Sequence, residues 1–197
     1  HAAAGEHSGF CFFNNVAVAA RAAQRALAEE EAEGQSAEET PPPPPPRPPR
    51  VAIVDWDIHH GNGTQSIFHD DPSVLVISLH RFGHLFGGPF YPGTGAPTEI
   101  GGASARGKTI NVGWRDGTGD ADFAYAFEQV VLPALNEFAP SMVLVSCGFD
   151  SAAGDPLGDA RLTPRGFAHM TRRLLTGVPS SRGLVLTFEG GYDPEVN

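Results

Sequence analysis

Lysine is almost missing from this chain. Lys108 is the one lysine among 13 basic residues, set against 23 acidic ones, for a formal net charge of −10 over 197 residues. Part of the acid sits in residues 29–39, yet residues 51–197 remain more acidic than basic. That balance excludes a surface that tracks a phosphate backbone. It suits a basic partner instead, such as a lysine-rich tail or a polyamine. Cysteine is equally scarce: Cys11 and Cys147 make neither a disulfide framework nor a thiolate metal site, and both sit in apolar stretches expected to bury inert thiols in a reducing compartment. No apolar run approaches the length of a membrane span, and the opening residues His1–His7 lack the pattern of a signal peptide. There is no initiator methionine, so the chain reads as a piece of something longer. The hydrophobic content of 41% is ordinary for a globular domain with a core.

What is present centres on residues 51–63. The apolar run Val51–Val54 reads as a buried strand that leads into Asp55, Asp57 and His59 and breaks at Gly61 and Gly63. In extended backbone these three polar residues would share a face, with Trp56 and Ile58 turned away. A carboxylate and an imidazole so placed are oxygen and nitrogen ligands for a divalent metal, although a strand followed by a plain polar turn has the same appearance.

Further strands are expected at Val74–Leu79, Thr109–Val112, Ser141–Ser146 and Gly183–Phe188. Helices are expected from Val16 to about Glu31, over Asp122–Phe138, and from Thr163-Pro164 to about Thr176, with a short helical turn at Gln65–His69. Strands alternating with helices indicate an α/β fold with a mostly parallel sheet. Residues 29–50 are low complexity: an acidic run, then Pro41–Pro46, Arg47 and two more prolines. They read as a solvated polyproline insertion, or a ligand for a proline-recognising partner. Residues 82–102, with Phe82, Phe86, Phe90 and Tyr91, form a long loop of the kind that shapes a pocket rim.

Polar, glycine-rich segments follow strand after strand: Asp55–Gly63, Cys147–Gly158 and Glu189–Tyr192. In a parallel sheet such loops converge outside the carboxyl edge, where ligands bind. Asp57 and His59 supply two ligands. A third is expected from Asp155 in Gly-Asp-Pro, with Asp150 and Asp159 as competitors that also read as turn-capping acids. One imidazole and two carboxylates leave a coordination position for water; zinc is the default, and oxygen-rich ligation also admits iron or manganese. Tyr192, after two glycines, is placed to donate to an oxyanion, and His1 is an acid–base group by residue type. Phe10, Phe12 and Phe13 read as core, with Phe10 equally readable as a pocket wall.

These segments resemble the catalytic domain of zinc-dependent histone deacetylases, most closely class II, within the arginase/deacetylase fold. The resemblance rests on Gly9–Asn15, Val54–Gln65, Ser78–Phe82, Tyr91–Gly95, Gly148–Asp150, Gly154–Gly158 and Glu189–Tyr192, and covers nearly everything except residues 29–50. It implies a three-layer α/β/α domain incomplete at both ends, with one zinc held by Asp57, His59 and Asp155. It implies that Tyr192 polarises an acetyl carbonyl, and that His1, matching the second of two tandem histidines, is the general base, contacted by Asn62. Gly9, Phe10, Tyr91, Leu162 and Gly190 would meet the substrate, Phe10 and Tyr91 as aromatic walls and Leu162 at the rim. A structural potassium ion would lie against Asp55, Ser78 and main-chain oxygens that include those of Leu79.

The implied activity is removal of acetyl groups from lysine side chains of histones or other proteins. Deacetylation of acetylpolyamines is the near alternative, and an inactive scaffold the distant one. The implied partners are an acetylated protein or peptide and possible corepressors, in the nucleus, the cytoplasm or both, with neither nucleic acid nor membrane bound directly. The 197-residue piece alone is expected to be inactive.

Overall fold

The computed structural model describes residues 1–34, 48–85 and 88–195. The proline run Pro41–Pro46, Arg47 and Phe86 lie outside the described residues.

Five parallel strands make the central sheet: β1 (Val51–Asp55), β2 (Val74–Arg81), β5 (Thr109–Trp114), β6 (Met142–Cys147) and β7 (Leu184–Phe188). Their order across the sheet is β5-β2-β1-β6-β7. The central β1 is buried along its whole length, as its unbroken apolar sequence requires of a strand covered on both faces. Alternation sorts its side chains. Ala52 and Val54 pack with Phe123, Phe127, Leu135, Met170 and Leu174 in one core. Val51 and Ile53 pack with Val16, Ala17 and Ala20 in the other.

The first core is roofed by α3 (Asp120–Ala126), α4 (Leu132–Phe138) and α5 (Pro164–Gly177). The second is roofed by α1 (Asn15–Glu33), giving three layers with helices on both faces. One continuous helix was expected over Asp122–Phe138, but Phe127–Val131 forms a π-helical turn between α3 and α4. Pro133 has no N–H to return to the preceding turn, and a widened turn accommodates that gap. The first turn of α1 is held by buried Asn14, whose Oδ1 accepts from Ala17 N while its amide donates to Ala2 O and Thr64 Oγ1. That amide ties the N-terminal segment to α2 (Asn62–Ile67), which starts earlier than the expected Gln65.

Two boundaries differ from expectation in ways that bear on the site. The acidic residues 29–33 continue α1 rather than opening the insertion. The rim loop folds back on itself as a small antiparallel ladder, β3 (His84–Leu85) with β4 (Gly88–Pro89), and returns Phe90 and Tyr91 toward the sheet. No helix among the described residues is long and apolar enough to cross a membrane.

Candidate metal centre and active-site cleft

The carboxyl end of β1 builds the site. The strand stops at Asp55, whose register partners are Ser78 on β2 and Ser146 on β6. Extended backbone does not carry Asp57 and His59 onto the face of Asp55, contrary to expectation. Two successive side-chain turns do: Asp55 Oδ1 accepts from Asp57 N at 3.1 Å, and Asp57 Oδ1 accepts from His59 N at 2.8 Å. Each acid curls the chain toward the next ligand. The result is a tight polar knot at the edge of the sheet.

Asp57, His59 and Asp150 each bring a ligand atom into one group, all within 4.8 Å of one another. His59 Nδ1 lies 2.8 Å from Asp150 Oδ2 and 3.2 Å from Asp57 Oδ1. Asp150, read from sequence as a turn-capping competitor, also accepts from Ile58 N at 2.9 Å and is fully buried. Asp155, the expected third ligand, is not in this group. Its Oδ1 caps the following turn by accepting from Leu157 N and Gly158 N, and its Oδ2 accepts from Tyr192 N at 2.8 Å. The distinction is one of turn geometry within a single loop. Asp150 comes directly off β6, whereas Asp155 caps the turn beyond it.

Charge crowding defines the chemistry. Burial, reinforced by Asp57, pushes Asp150 up to about 7; burial likewise raises Asp55 to about 6 against the pull of His1. Asp57 goes the other way: despite burial, His1 and His59 hold it well below the usual carboxylate range. Burial opposes protonation of His59, yet hydrogen bonds to Asp150 and Asp57 carry it up to about 9. Three buried acids, Asp55, Asp57 and Asp150, share the two imidazoles of His1 and His59 and are short of positive charge. Two carboxylates and one imidazole nitrogen are also the donor types of a divalent site with room for water. The residues fit a zinc-type ion.

Glycines let the backbone approach these acids. A Cβ on Gly148 would stand 2.2 Å from Asp57 Oδ2, and one on Gly190 would stand 2.4 Å from Asp150 Oδ2 and 2.7 Å from Asp57 Oδ2. Gly190 N donates to Asp57 Oδ2 at 2.9 Å. Gly190, expected at the substrate, therefore braces the ligands.

Above the knot lies a cleft of about 490 Å³ lined by Gly9, Phe10, His59, Pro89, Phe90, Tyr91 and Leu157. Phe10 is 84% exposed and Tyr91 55%, which makes them walls rather than core. Phe12 and Phe13, expected in the core, are likewise exposed. The Tyr91 hydroxyl accepts from Gly9 N at 3.1 Å, and Gly9 and Phe10 both hold positive φ, so the two walls are pinned to each other. The Tyr192 ring meets both Phe10 and His59 edge-on at the base of this cleft, and burial together with the nearby Asp57 and Asp150 charges pushes its phenol pKa upward.

Two implied placements are corrected. Leu162 is not at the rim: it is 1% exposed, in the core with Phe123 and Met170, fixed by a backbone bridge to Ala152. Leu157 takes the cleft position instead. Asn62 lines a separate surface groove with His60 and Gln65, while the His1 ring bonds Asp55, with Nε2 at 3.0 Å from Oδ2. The Ser78 hydroxyl meets His80 Nδ1 at 2.9 Å, and Leu79 is buried in the first core. Cys147 is buried as expected, but Cys11 is only partly so; burial raises both thiols to about 11. Phe90 was missed as a site residue. Its ring stacks on His59 at 5.1 Å, and its only sequence signal was its place beside Tyr91 in an aromatic-rich loop.

An α/β sheet with a carboxylate–imidazole group at its carboxyl edge, under an aromatic cleft, defines a site of the kind that could hold a divalent metal. The histone deacetylase domain family matches residues 1–197, and the chain belongs to that family. Histone deacetylase clr3 of Schizosaccharomyces pombe is 45% identical over 196 residues, covering 98% of this chain and 25% of that protein. Histone deacetylase 15 of Arabidopsis thaliana is 45% identical over 194 residues, again 98% of this chain and 31% of the other. The crystal structure of the HDA15 HD domain superposes with a TM-score of 0.79 at 43% identity, over all of this chain and 49% of that one. The chain thus spans a quarter to a third of the length of these curated relatives.

Proposed function

We propose that the protein hydrolyses the amide of N-acetyl-lysine side chains, on histones or other proteins, at a zinc ion held by Asp57 and His59 with a carboxylate of the 148–158 loop. The observation that carries this reading is the Asp57–His59–Asp150 group set under an aromatic cleft and beside Tyr192, in a chain of the histone deacetylase family. Asp150 is the carboxylate nearest the other two, and Asp155 remains a candidate through its bond to the Tyr192 backbone. When bound, the ion supplies Lewis acidity toward the acetyl carbonyl and makes a water easier to deprotonate.

The chain's own residues do the rest. Phe10, Tyr91 and Leu157 flank the methylene stem of the lysine and exclude water from it. The Tyr192 hydroxyl, kept protonated, donates to the oxygen that gains charge as the carbonyl is attacked. His1, oriented through Nε2 by Asp55, takes the water's proton at Nδ1 and returns it to the departing amine. A potassium ion near Asp55 and Ser78 would further balance the buried acids.

The cleft lining favours an acetyl-lysine stem over a polyamine. Among the described residues it holds no Asp or Glu to grip a second ammonium group. Nuclear action, cytoplasmic action, and corepressor or proline-recognising partners belong to this proposal as well.

The test is acetate release by the full-length protein from an acetyl-lysine peptide and from N-acetylspermidine, before and after chelation and zinc restoration. The peptide is expected to be the better substrate and the loss on chelation reversible. Tyr192→Phe should lower kcat by about 10²–10³-fold with metal content unchanged. Full activity in that variant would remove Tyr192 from the mechanism.

A further inference from the structure

Arg81 is the only Arg or Lys buried among the described residues. It ends β2, and its backbone N–H donates to Ile58 O at 2.8 Å, next to the metal-centre turn. Its guanidinium lies 5.0 Å over the ring of Phe90. Phe90 in turn stacks on His59, with ring centres 5.1 Å apart and planes inclined by 12°. Arg81 Nη1 also stands 3.5 Å from Gly158 O and 3.3 Å from Asp159 Oδ2. One side chain therefore touches the 88–93 loop and the 154–159 loop while its own backbone holds the 55–60 turn.

Neutralising Asp159 does not account for this burial. The Asp159 side chain is 68% exposed, and a pair with one partner in solvent contributes little, whereas desolvating a guanidinium is costly. What Arg81 gains below the surface is an aromatic face and a carbonyl, and both belong to loops that carry site residues.

We propose that Arg81 is a positioning residue for the metal centre. Its guanidinium clamps Phe90 against the His59 imidazole and anchors the loop that bears Asp155 and Leu157. This rests on reading Asp57, His59 and Asp150 as metal ligands. Asp57 and Asp150 hold one nitrogen of the His59 ring, and the Phe90 face fixes the plane of the ring about those bonds. Arg81 fixes Phe90. Removing the clamp should loosen the imidazole without touching any ligand atom.

The test uses the full-length protein with Co²⁺ as the probe. Affinity is read by chelator competition, and ligand geometry by the visible absorption of the bound ion. Arg81→Met should weaken Co²⁺ binding about 10-fold or more and change that absorption. On the acetyl-lysine peptide it should lower kcat about 10–100-fold with KM raised by less than about tenfold, because Phe10 and Tyr91 stay pinned to each other and only Leu157 loses its anchor. Arg81→Lys should recover part of both losses, since an ammonium still sits over the ring. Phe90→Leu should resemble Arg81→Met, and the double variant should be no worse than either, because both act on one contact.

Additive losses in that cycle, or wild-type Co²⁺ affinity and absorption in Arg81→Met, would overturn the proposal. Should Arg81→Met not fold, Arg81→Lys replaces it in the cycle under the same criterion. Wild-type protein that binds Co²⁺ yet never cleaves the peptide would sink the deacetylase reading alone, with the Co²⁺ measurements still deciding Arg81. Wild-type protein that takes up no Co²⁺ would overturn both.

Discussion

At the scale of single residues, the site depends on atoms that are missing as much as on ligands. Gly148 and Gly190 let the main chain lie against Asp57 and Asp150 where any side chain would collide with a carboxylate oxygen. Gly190→Ala should therefore cost about 1–3 kcal/mol of stability. It should also weaken metal binding about 10-fold or more, measured by chelator competition, because Asp57 and Asp150 must both move. An alanine variant with wild-type affinity would show that the floor yields easily. Asp57 and His59 were legible from sequence as candidate metal ligands because an apolar strand runs straight into them. Choosing among Asp150, Asp155 and Asp159 was not, because all three stand in one polar loop and spacing cannot tell a ligand from a turn cap. Gly190, which the resemblance sets at the substrate, has its closest neighbours in the carboxylates of Asp57 and Asp150, a contact that no local pattern announces.

At the scale of elements, the apolar runs located all five sheet strands, since each is short, β-branched and bounded by turn residues. The misses come from tertiary contacts that local patterns do not encode. Leu162 follows a polar loop, yet its bridge to Ala152 draws it under α3, and the β3–β4 ladder lies inside a stretch of glycines and prolines with no strand pattern. β2 carries a buried polar pair that also escaped notice. His80 Nε2 donates to Gly95 O at 2.9 Å, holding the strand end to the 94–96 loop, and its ring lies 4.6 Å from that of His60. Burial, with some repulsion from His60, pushes His80 down to about 3. The folded protein thus keeps His80 neutral in a range where the unfolded chain, titrating near 6.5, takes up a proton. The stability tied to this group is present above about pH 6.5 and lost as pH falls toward about 3. Urea unfolding at stepped pH should show wild-type stability falling more steeply than that of His80→Gln, by up to about 1.4 kcal/mol per pH unit. Equal slopes would mean that His80 is protonated in the folded state.

At the scale of the whole molecule, the fold collects negative charge at one edge of its sheet. Asp55, Asp57, Asp150 and Asp155 are all buried there in a chain of net charge −10. A divalent ion that binds only the folded state offsets that crowding, so free zinc at about 100 times its Kd should raise stability by about 2.7 kcal/mol. Thermal melting across a zinc series checks this, and a Tm indifferent to zinc would mean that the acids are balanced in another way. The close approach of Gly148 and Gly190 has one more consequence. With main chain packed directly against Asp57 and Asp150, variation there is blocked, and selectivity among ligands must be sought in the cleft walls. Phe10 and Leu157, both solvent-facing and free of ligand duty, are the positions where a chemist or an evolving lineage could retune what enters.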